Sequence, residues 1–245
     1  MSTMSTGYRA TEPRWTGKDR QDFVKLVSVN VGKTRPIAGA GKSGFTGIFK
    51  EPQPEAVFIG ELGLSGDAII DTENHGGPDQ AVYVFSAEDY GWWSDGVGRE
   101  LAPGTFGENL TVSGFKSAEI SVGDRFVIGE VVLEVTGPRI PCGTISARMK
   151  DRLFVKKFRA AERPGVYCRV IREGRVRAGE EVGFVPYSGE LDPPLGVIED
   201  FREFFEPSNT EATLRRQLAA PIAARDRVHK ERLLLELRSR RAGLR

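Results

Sequence analysis

Short extended segments separated by glycine and proline fill residues 23–186 and restrict the fold more than any other feature. "FVKLVSVNV" at residues 23–31 is β-branched and half-alternating, a pattern typical of a strand. "SVGDRFVIGEVVLEVTG" places extended apolar arms on both sides of Gly129 and Glu130, which predicts a two-residue hairpin. Many short strands with turn residues between them favour a mainly β fold, a closed or nearly closed β-barrel with a few helices.

Two further local structures are expected within this segment. "GVYCRVIREGRVRAGEEVGFVP" indicates a second hairpin at Glu173 and Gly174, followed by a final strand. "SAEDYGWW" at residues 86–93 predicts a helix, because Ser86 is a suitable N-cap and Asp89 stands three residues later.

The composition divides the chain into four parts. Residues 1–22 are polar and aperiodic and are expected to form a flexible tail before a barrel domain over 23–187. "SGELDPPLG" predicts a linker at 188–196, and three helical patterns follow in 197–245. Pro221 fits the first turn of the third helix. Since so short a segment buries little surface alone, the helices should dock on the barrel or on a second subunit, which allows a homodimer.

Charge and apolar content restrict the compartment and the partners. The 245 residues carry a net charge of +1, which selects neither nucleic acid nor a membrane as partner. No apolar run approaches the roughly 20 residues that span a bilayer, and the first residues lack the apolar core of a secretory signal. Two cysteines do not make a disulfide framework in a chain of this size. We therefore expect a cytoplasmic protein with reduced thiols.

Cys142 is the leading candidate for chemistry. It lies in "TGPRIPCGTI", a stiff turn where Arg139 stands between two prolines. Neighbouring positive charge favours a thiolate, which is both a nucleophile and a ligand for soft metals. The turn therefore fits either covalent catalysis or metal ligation. Cys168, by contrast, alternates within a strand and is expected to be a small buried apolar residue.

The two histidines limit what Cys142 can do. His229 lies among basic residues of a helix and is expected on the surface, whereas His75 lies in "ENHGGPDQA", where two glycines allow close approach of the backbone. A Cys142–His75 pair would provide a nucleophile with its base, although the sequence does not show that the two meet. A zinc site needs three or four clustered ligands. A single cysteine instead suits a metal whose other ligands come from a cofactor or solvent.

Two polar segments are candidates for binding an anion or a heterocycle. "VGKTRPIAGAGK" combines glycines with Lys33, Thr34 and Arg35, which could hold a phosphate, although its order is not that of a P-loop. "TFGENLTVSG" places Glu108 and Asn109 beside a glycine, and an asparagine amide can read a pterin edge through a donor and an acceptor. The alternatives are a solvated loop and a turn before a strand.

The ordered set of motifs resembles the MOSC domain, named for the C-terminal domain of molybdenum-cofactor sulfurase. The motifs are "GLSGDAIIDTENHGGPDQAVYVFSAEDYGWW", "APGTFGENLTVSG", "SVGDRFVIGEVVLEVTGPRIPC" and "RPGVYCRVIREGRVRAGEEV". The resemblance covers about residues 23–186, and the tail is similar to the three-helix domain of the bacterial hydroxylaminopurine-resistance subgroup. It implies a strand-rich barrel that binds molybdopterin, the organic part of the molybdenum cofactor. Pyridoxal phosphate binding is associated with the family as well.

The resemblance also implies roles for individual side chains. Cys142 matches a cysteine that ligates molybdenum, and His75 is our candidate proton donor. Lys33 and Thr34 match a pair that grips the pterin or its phosphate, and Asn109 matches an asparagine at the pterin. The expected cofactor contacts are Lys33, Thr34, Arg35, Asp79, Glu108, Asn109 and Arg139. Where some relatives carry an arginine after a Gly-Asp pair, this chain has Ala68, so that contact is missing or is supplied by Arg35, Lys42 or Arg139.

Taken together, the resemblance implies a molybdenum-dependent reductase of N-hydroxylated bases or related small molecules, with a role in detoxification. The sequence contains no ferredoxin-type cysteine set and no convincing nucleotide-binding motif, so electrons must come from a separate donor protein. Two alternatives stay open. Cys142 could carry sulfur or cofactor without redox turnover, or the barrel could serve only in assembly through its helical tail.

Overall fold

The computed structural model describes residues 24–38, 44–72 and 75–243, so the predicted N-terminal tail lies outside the described residues. The strands are β1 (Leu26–Gly32), β2 (Arg35–Pro36), β3 (Phe45–Thr46), β4 (Lys50–Pro52), β5 (Val57–Gly60), β6 (Gly63–Leu64), β7 (Val82–Ser86), β8 (Leu110–Val112), β9 (Arg125–Ile128), β10 (Val131–Pro138), β11 (Val166–Arg172), β12 (Gly174–Val176) and β13 (Val182–Val185). The helices are α1 (Ala87–Val97), α2 (Gly143–Met149), α3 (Phe154–Ala161), α4 (Val197–Phe205), α5 (Glu211–Ala219) and α6 (Ala224–Gly243).

The main sheet closes on itself. Its strand order is β13-β9-β10-β11-β7-β8-β1-β4, with β7 and β8 parallel and the other neighbours antiparallel. The amide of Leu26 donates to the carbonyl of Glu180 (2.9 Å), and the amide of Val182 donates to the carbonyl of Val24 (2.9 Å). These bonds place the start of β1 beside β13, so seven of the strands in the described residues form a barrel and the predicted strand-rich barrel is confirmed.

Two apolar clusters stabilise the barrel. One fills its interior with branched side chains such as Leu26, Ile128 and Leu133, which are fully buried. The other is aromatic and joins the sheet to α1 and α3. There Phe106 stacks on Phe85 with ring centroids 4.5 Å apart, and it also packs against Trp93. The second cluster explains why helices are needed within the barrel segment: they cover an apolar face of the sheet.

Helix α1 begins as its sequence indicates, whereas α2 and α3 were not predicted. The hydroxyl of Ser86 accepts a hydrogen bond from the amide of Asp89 (3.1 Å), which confirms the predicted N-cap. Helix α3 buries Phe154 and Phe158, four residues apart, against the aromatic cluster. Helix α2 follows Cys142 directly and is too short for a periodic pattern to be visible in the sequence.

The first predicted hairpin is confirmed and the second is wrong. Strands β9 and β10 pair across Gly129 and Glu130. Strand β12 instead pairs with β5, because the single residue between β11 and β12 cannot reverse the chain. That residue, Glu173, accepts a hydrogen bond from the backbone amide of Glu61 (2.8 Å) and so fixes the chain against the end of the β5–β6 pair.

The three predicted C-terminal helices are present, and the chain before them is attached to the barrel. The amide of Val122 donates to the carbonyl of Leu195, and that of Val197 donates to Ile120, both at 2.8 Å. Leu195 and Val197 are buried in the cluster that fills the barrel. In the described part of the chain, no helix combines the length and apolarity needed to cross a membrane.

The prediction that Pro221 lies in the first turn of a helix is wrong, because α6 begins at Ala224. The guanidinium of Arg169, on β11, donates to the carbonyls of Pro221 (3.1 Å) and Ile222 (3.0 Å). These bonds hold residues 221–223 outside a helix, since they use carbonyls that a helix would need for its own first turn.

Candidate functional site

A cavity of about 470 Å³ lies where the turn after β10 meets the loop that contains His75. Cys142, His75 and Arg139 line it together with Tyr83 and Tyr167 of the neighbouring strands. A volume of this size accommodates a small molecule or cofactor. The candidate catalytic residues from two distant parts of the sequence therefore meet at one site.

Cys142 faces this cavity as a partly buried, activated thiol. Its Sγ lies 3.7 Å from Nε2 of His75. Burial raises the pKa of the Cys142 thiol, but the hydrogen bond with His75 and the charge of Arg139 lower it more, so the pKa falls from the ordinary 9.0 to about 6. Thr144 adds a hydrogen bond to the sulfur. A thiol in these surroundings is largely a thiolate at neutral pH.

Arg139 is a buried cation with unused hydrogen-bonding capacity. Its side chain is 4% exposed and lies over the rings of Tyr83 (5.5 Å) and Phe158 (5.7 Å). It hydrogen bonds to Tyr167, but within the described residues its Nη1 has no hydrogen-bond partner. A buried guanidinium nitrogen that lines a cavity without a partner is suited to an anionic group of a ligand.

A second polar cluster in the wall of this cavity was only partly anticipated. The carboxylate of Asp67 forms an ion pair with Lys50 and accepts hydrogen bonds from the amide of Gly32 (2.7 Å) and from Nδ2 of Asn109 (2.9 Å). Oδ1 of Asn109 in turn accepts from the amide of Tyr83 (3.1 Å). Asn109 therefore lines the cavity, as expected, while both of its polar atoms already make hydrogen bonds to the protein.

Lys50 is a site residue that the sequence interpretation missed. Its side chain is 8% exposed, lines the cavity, and comes from the short strand β4. Burial lowers the pKa of its ammonium group, and the charge of Asp67 opposes that shift. Nothing in the segment "FKEPQPE" distinguishes this lysine from a surface residue, so no local pattern identifies it.

Three predicted phosphate contacts lie away from the cavity lining. Lys33, Thr34 and Arg35 are exposed, and Arg35 forms an ion pair with Glu51 (2.6 Å). They immediately follow β1, whereas the cavity wall on that side comes from Phe45 to Ile48. Their binding role stays a prediction, and Lys42 lies outside the described residues.

Glu108 is fully buried and lies behind the cavity instead of lining it. Its Oε1 accepts hydrogen bonds from the hydroxyl of Tyr90 (2.7 Å), the amide of Gly104 (2.6 Å) and the hydroxyl of Thr111 (2.8 Å). Burial raises the pKa of this carboxyl group, and the three donors oppose that shift. The contacts show a side chain that holds the loop before β8 in place.

Asp79 connects the His75 loop to the C-terminal helices. Its Oδ2 accepts a hydrogen bond from the amide of Ala224 (2.6 Å), the first residue of α6, and its Oδ1 pairs with Arg169 (2.9 Å). The carboxylate thus satisfies a free amide at the helix start. Although Asp79 lies in the same motif as His75, its carboxylate is used to attach the helices to the barrel.

Comparison with known proteins places these features in a family context. A family model described as the MOSC domain matches residues 71–183. Protein YflK of Bacillus subtilis is 38% identical over 160 residues, which are 65% of this chain and 72% of YflK. Protein YiiM of Escherichia coli is 31% identical over 126 residues, which are 50% of this chain and 56% of that protein.

Solved structures share the fold beyond the matched domain. The crystal structure of YiiM from Geobacillus stearothermophilus superposes with a TM-score of 0.70 at 24% identity, covering 86% of this chain and 99% of that one. YiiM from Escherichia coli gives a TM-score of 0.67 at 22% identity, covering 87% and 93%. The superposed part of this chain is longer than residues 71–183, so the similarity in fold extends beyond the segment that the family model matches.

Proposed function

The chain belongs to the MOSC domain family, in its bacterial YiiM-like group, and we propose that it binds a molybdenum cofactor beside Cys142 and reduces N-hydroxylated compounds there. The MOSC domain is associated with molybdenum cofactor binding. The observation that carries the proposal is the thiol of Cys142, whose pKa is lowered to about 6 and which faces a cavity of small-molecule size.

The residues of the cavity fit this cofactor in two ways. Arg139 offers a buried nitrogen without a partner among the described residues, which suits the phosphate or another anionic group of the cofactor. Within the same residues, no three His, Cys, Asp or Glu side chains are grouped closely enough to hold a metal ion. A single thiolate therefore matches a metal that brings its other ligands with it.

Each side chain would have a distinct task with the cofactor bound. The cofactor would supply the two electrons that reduce the N–OH group. Cys142 would hold the metal through its thiolate. His75, 3.7 Å from that sulfur, would deliver one proton to the hydroxyl oxygen, which leaves as water, and the second proton would go to the substrate nitrogen, which becomes N–H. Arg139 would fix the cofactor, and Lys50 and Asn109 would line the same cavity.

We further propose that the electrons come from a separate protein. Reduction of N–OH to N–H consumes two electrons and two protons in each turnover. The chain has only two cysteines, one of them fully buried, which cannot hold an iron–sulfur cluster. A donor protein would therefore restore the reduced state after each cycle.

The test begins with protein made in a host that synthesises the cofactor. Molybdenum is measured by elemental mass spectrometry and pterin by fluorescence after oxidation, for wild type and for Cys142→Ser. We expect near-stoichiometric metal and pterin in wild type, loss of metal in the variant, and reduction of a simple amidoxime by wild type with a chemical electron donor. Wild type without molybdenum or pterin, even after reconstitution, contradicts the proposal.

The low pKa of Cys142 also suits a second candidate, a carrier of sulfur on that thiol. A persulfide on Cys142 would release thiocyanate on treatment with cyanide, whereas a molybdenum ligand would not be sulfurated. Cyanide-labile sulfur on wild type, absent from Cys142→Ser and accompanied by no molybdenum, would favour the carrier.

A further inference from the structure

A second cavity lies between the barrel and the C-terminal helices. Its volume is about 790 Å³. The floor is the end of β10 with the turn that leads to Cys142, and the roof is formed by α4, α5 and the first turns of α6. No role has so far been given to the helices of the roof, and a cavity of this size between two packed units is a common place for a ligand.

The two cavities share part of their walls. Among the described residues, five line both of them: Asp71, His75, Gln80, Cys142 and Tyr167. Two of these are the residues proposed to hold the metal and to deliver protons. A molecule that occupies the second cavity would therefore contact Cys142 and His75, whereas Arg139, Lys50 and Asn109 line only the first cavity.

The lining of the second cavity combines acidic groups with an aromatic surface. Among the described residues, four carboxylates contribute to it, together with the side chains of Arg225 and Lys230. The carboxylates are those of Asp71, Asp200, Glu203 and Asp226. On the same helix as two of them, the ring of Phe204 is 60% exposed although it is apolar. Such a surface suits a planar ring that carries N–H donors and disfavours an anion.

Asp200 is a carboxylate of this lining whose position is fixed over the floor of the cavity. Its Oδ1 accepts a hydrogen bond from Nε2 of Gln217 (3.0 Å), which fixes the side chain. Its Oδ2 lies over Gly137, so close that a Cβ added there would be 3.5 Å from it. Gly137 lies five residues before Cys142 on the floor of the cavity, and its lack of a side chain leaves space between the carboxylate and the strand.

We propose that this second cavity is the substrate subsite, that it accepts uncharged or cationic aromatic N-hydroxylated compounds and disfavours anionic ones, and that Asp200 and Phe204 determine this selectivity. The inference rests on the proposed function for the reduction of the N–OH group, and on the wall that the two cavities share for the position of the subsite. It gives the C-terminal helices a role in specificity: they carry the side chains that a substrate contacts while its N–OH group reaches Cys142.

The kinetic test uses the holoenzyme and three probes: benzamidoxime, its 4-carboxy derivative, and acetamidoxime. For wild type we expect a higher kcat/KM for benzamidoxime than for either of the others. Asp200→Asn should reduce the preference for the neutral over the carboxylated probe by about fivefold to tenfold, since one nearby charge is removed. Phe204→Ala should reduce the preference for the aromatic over the aliphatic probe by about threefold to tenfold.

Phe58→Ala provides the matched control, because Phe58 is an exposed aromatic residue on β5 and lines neither cavity. It should leave both preferences unchanged. Asp200→Asn keeps the shape of the side chain, and Phe204 is largely exposed, so both variants are expected to fold. Preferences that stay the same in both variants, or that change equally in Phe58→Ala, would overturn the assignment.

A binding experiment separates this inference from the proposed function. Benzamidine, an aromatic amidine cation, is titrated into the cofactor-free protein by calorimetry. We expect saturable binding to wild type and binding about fivefold weaker to Asp200→Asn. This result stands even if no amidoxime is reduced, in which case only the proposed reaction fails. Absence of saturable binding, or equal affinity in the two proteins, overturns the subsite whatever the turnover shows.

Discussion

Replacement of His75 by glutamine gives the most direct test of the site, because it changes one contact of Cys142. The pKa of this thiol is about 6 instead of the ordinary 9.0, and the hydrogen bond with His75 is the largest of the influences that lower it. The difference corresponds to about 4 kcal/mol in favour of the thiolate. A contact of this kind accounts for a pKa change of roughly 1 to 2, so we expect His75→Gln to raise the pKa of Cys142 by that amount.

The assay is the rate of alkylation by iodoacetamide as a function of pH, followed by intact mass on the cofactor-free protein. Only the thiolate reacts, so the midpoint of the rate profile reports the pKa. Cys168 provides an internal standard: it is fully buried, burial raises its pKa, and it should stay unmodified. The matched control is His229→Gln, which removes an exposed histidine of α6.

Three results would refute the reasoning. A wild-type midpoint near the ordinary thiol value would show that His75 and Arg139 do not act on Cys142. A midpoint that is unchanged in His75→Gln would show that the 3.7 Å contact has no energetic effect. An equal change in His229→Gln would show that the effect is not local.

The remaining predictions concern stability and cofactor binding. Since the folded pKa of Cys142 is depressed, its thiolate stabilises the fold fully above pH 9 and loses this effect as pH falls towards 6, so the difference in unfolding free energy between wild type and Cys142→Ser should grow with pH in urea titrations. Asp79→Asn should lower the unfolding free energy by about 1.5–3 kcal/mol, because it removes the charge that Arg169 and the start of α6 share; equal urea midpoints would contradict this. Phe106→Ala should cost about 3–5 kcal/mol in the same assay, since the ring is fully buried, and a cost below about 1 kcal/mol would contradict the packing argument. Arg139→Gln should retain the fold but weaken cofactor binding about tenfold, measured as molybdenum and pterin per protein. Full occupancy in this variant would contradict the proposed contact between Arg139 and the cofactor.

Local patterns predicted the secondary structure where a short segment determines its own conformation. The first hairpin and the cap of α1 depend on residues within a few positions of each other, and both are confirmed. The prediction of the second hairpin was wrong because β12 pairs with β5, more than a hundred residues earlier in the chain. The predicted start of α6 was wrong for a similar reason, because the residues around this start are held by Arg169 and Asp79 of the barrel.

The ordered motifs identified the family, and the family is confirmed, but they did not determine which side chains line the cavity. Cys142 and His75 were named from the residue types and the motifs, and the structure brings them together. Lys50 was missed because its importance arises from burial beside Asp67, which depends on how β4 and the loop after β6 pack. Lys33 and Asp79 belong to recognisable motifs, yet their positions relative to the cavity depend on the tertiary fold.

The closure of the barrel through the chain segments at its two ends has a consequence for synthesis on the ribosome. The bonds that Val24 and Leu26 make to residues 179–182 can form only when that segment has been made, so the first part of β1 lacks its partner on this edge through most of translation. Pairing at such sequence distance is slow, because a long loop must close before any contact offsets its entropy. A nascent chain halted before residue 179 would therefore expose a bonding edge to other chains. We expect premature termination to give aggregation rather than a smaller folded protein.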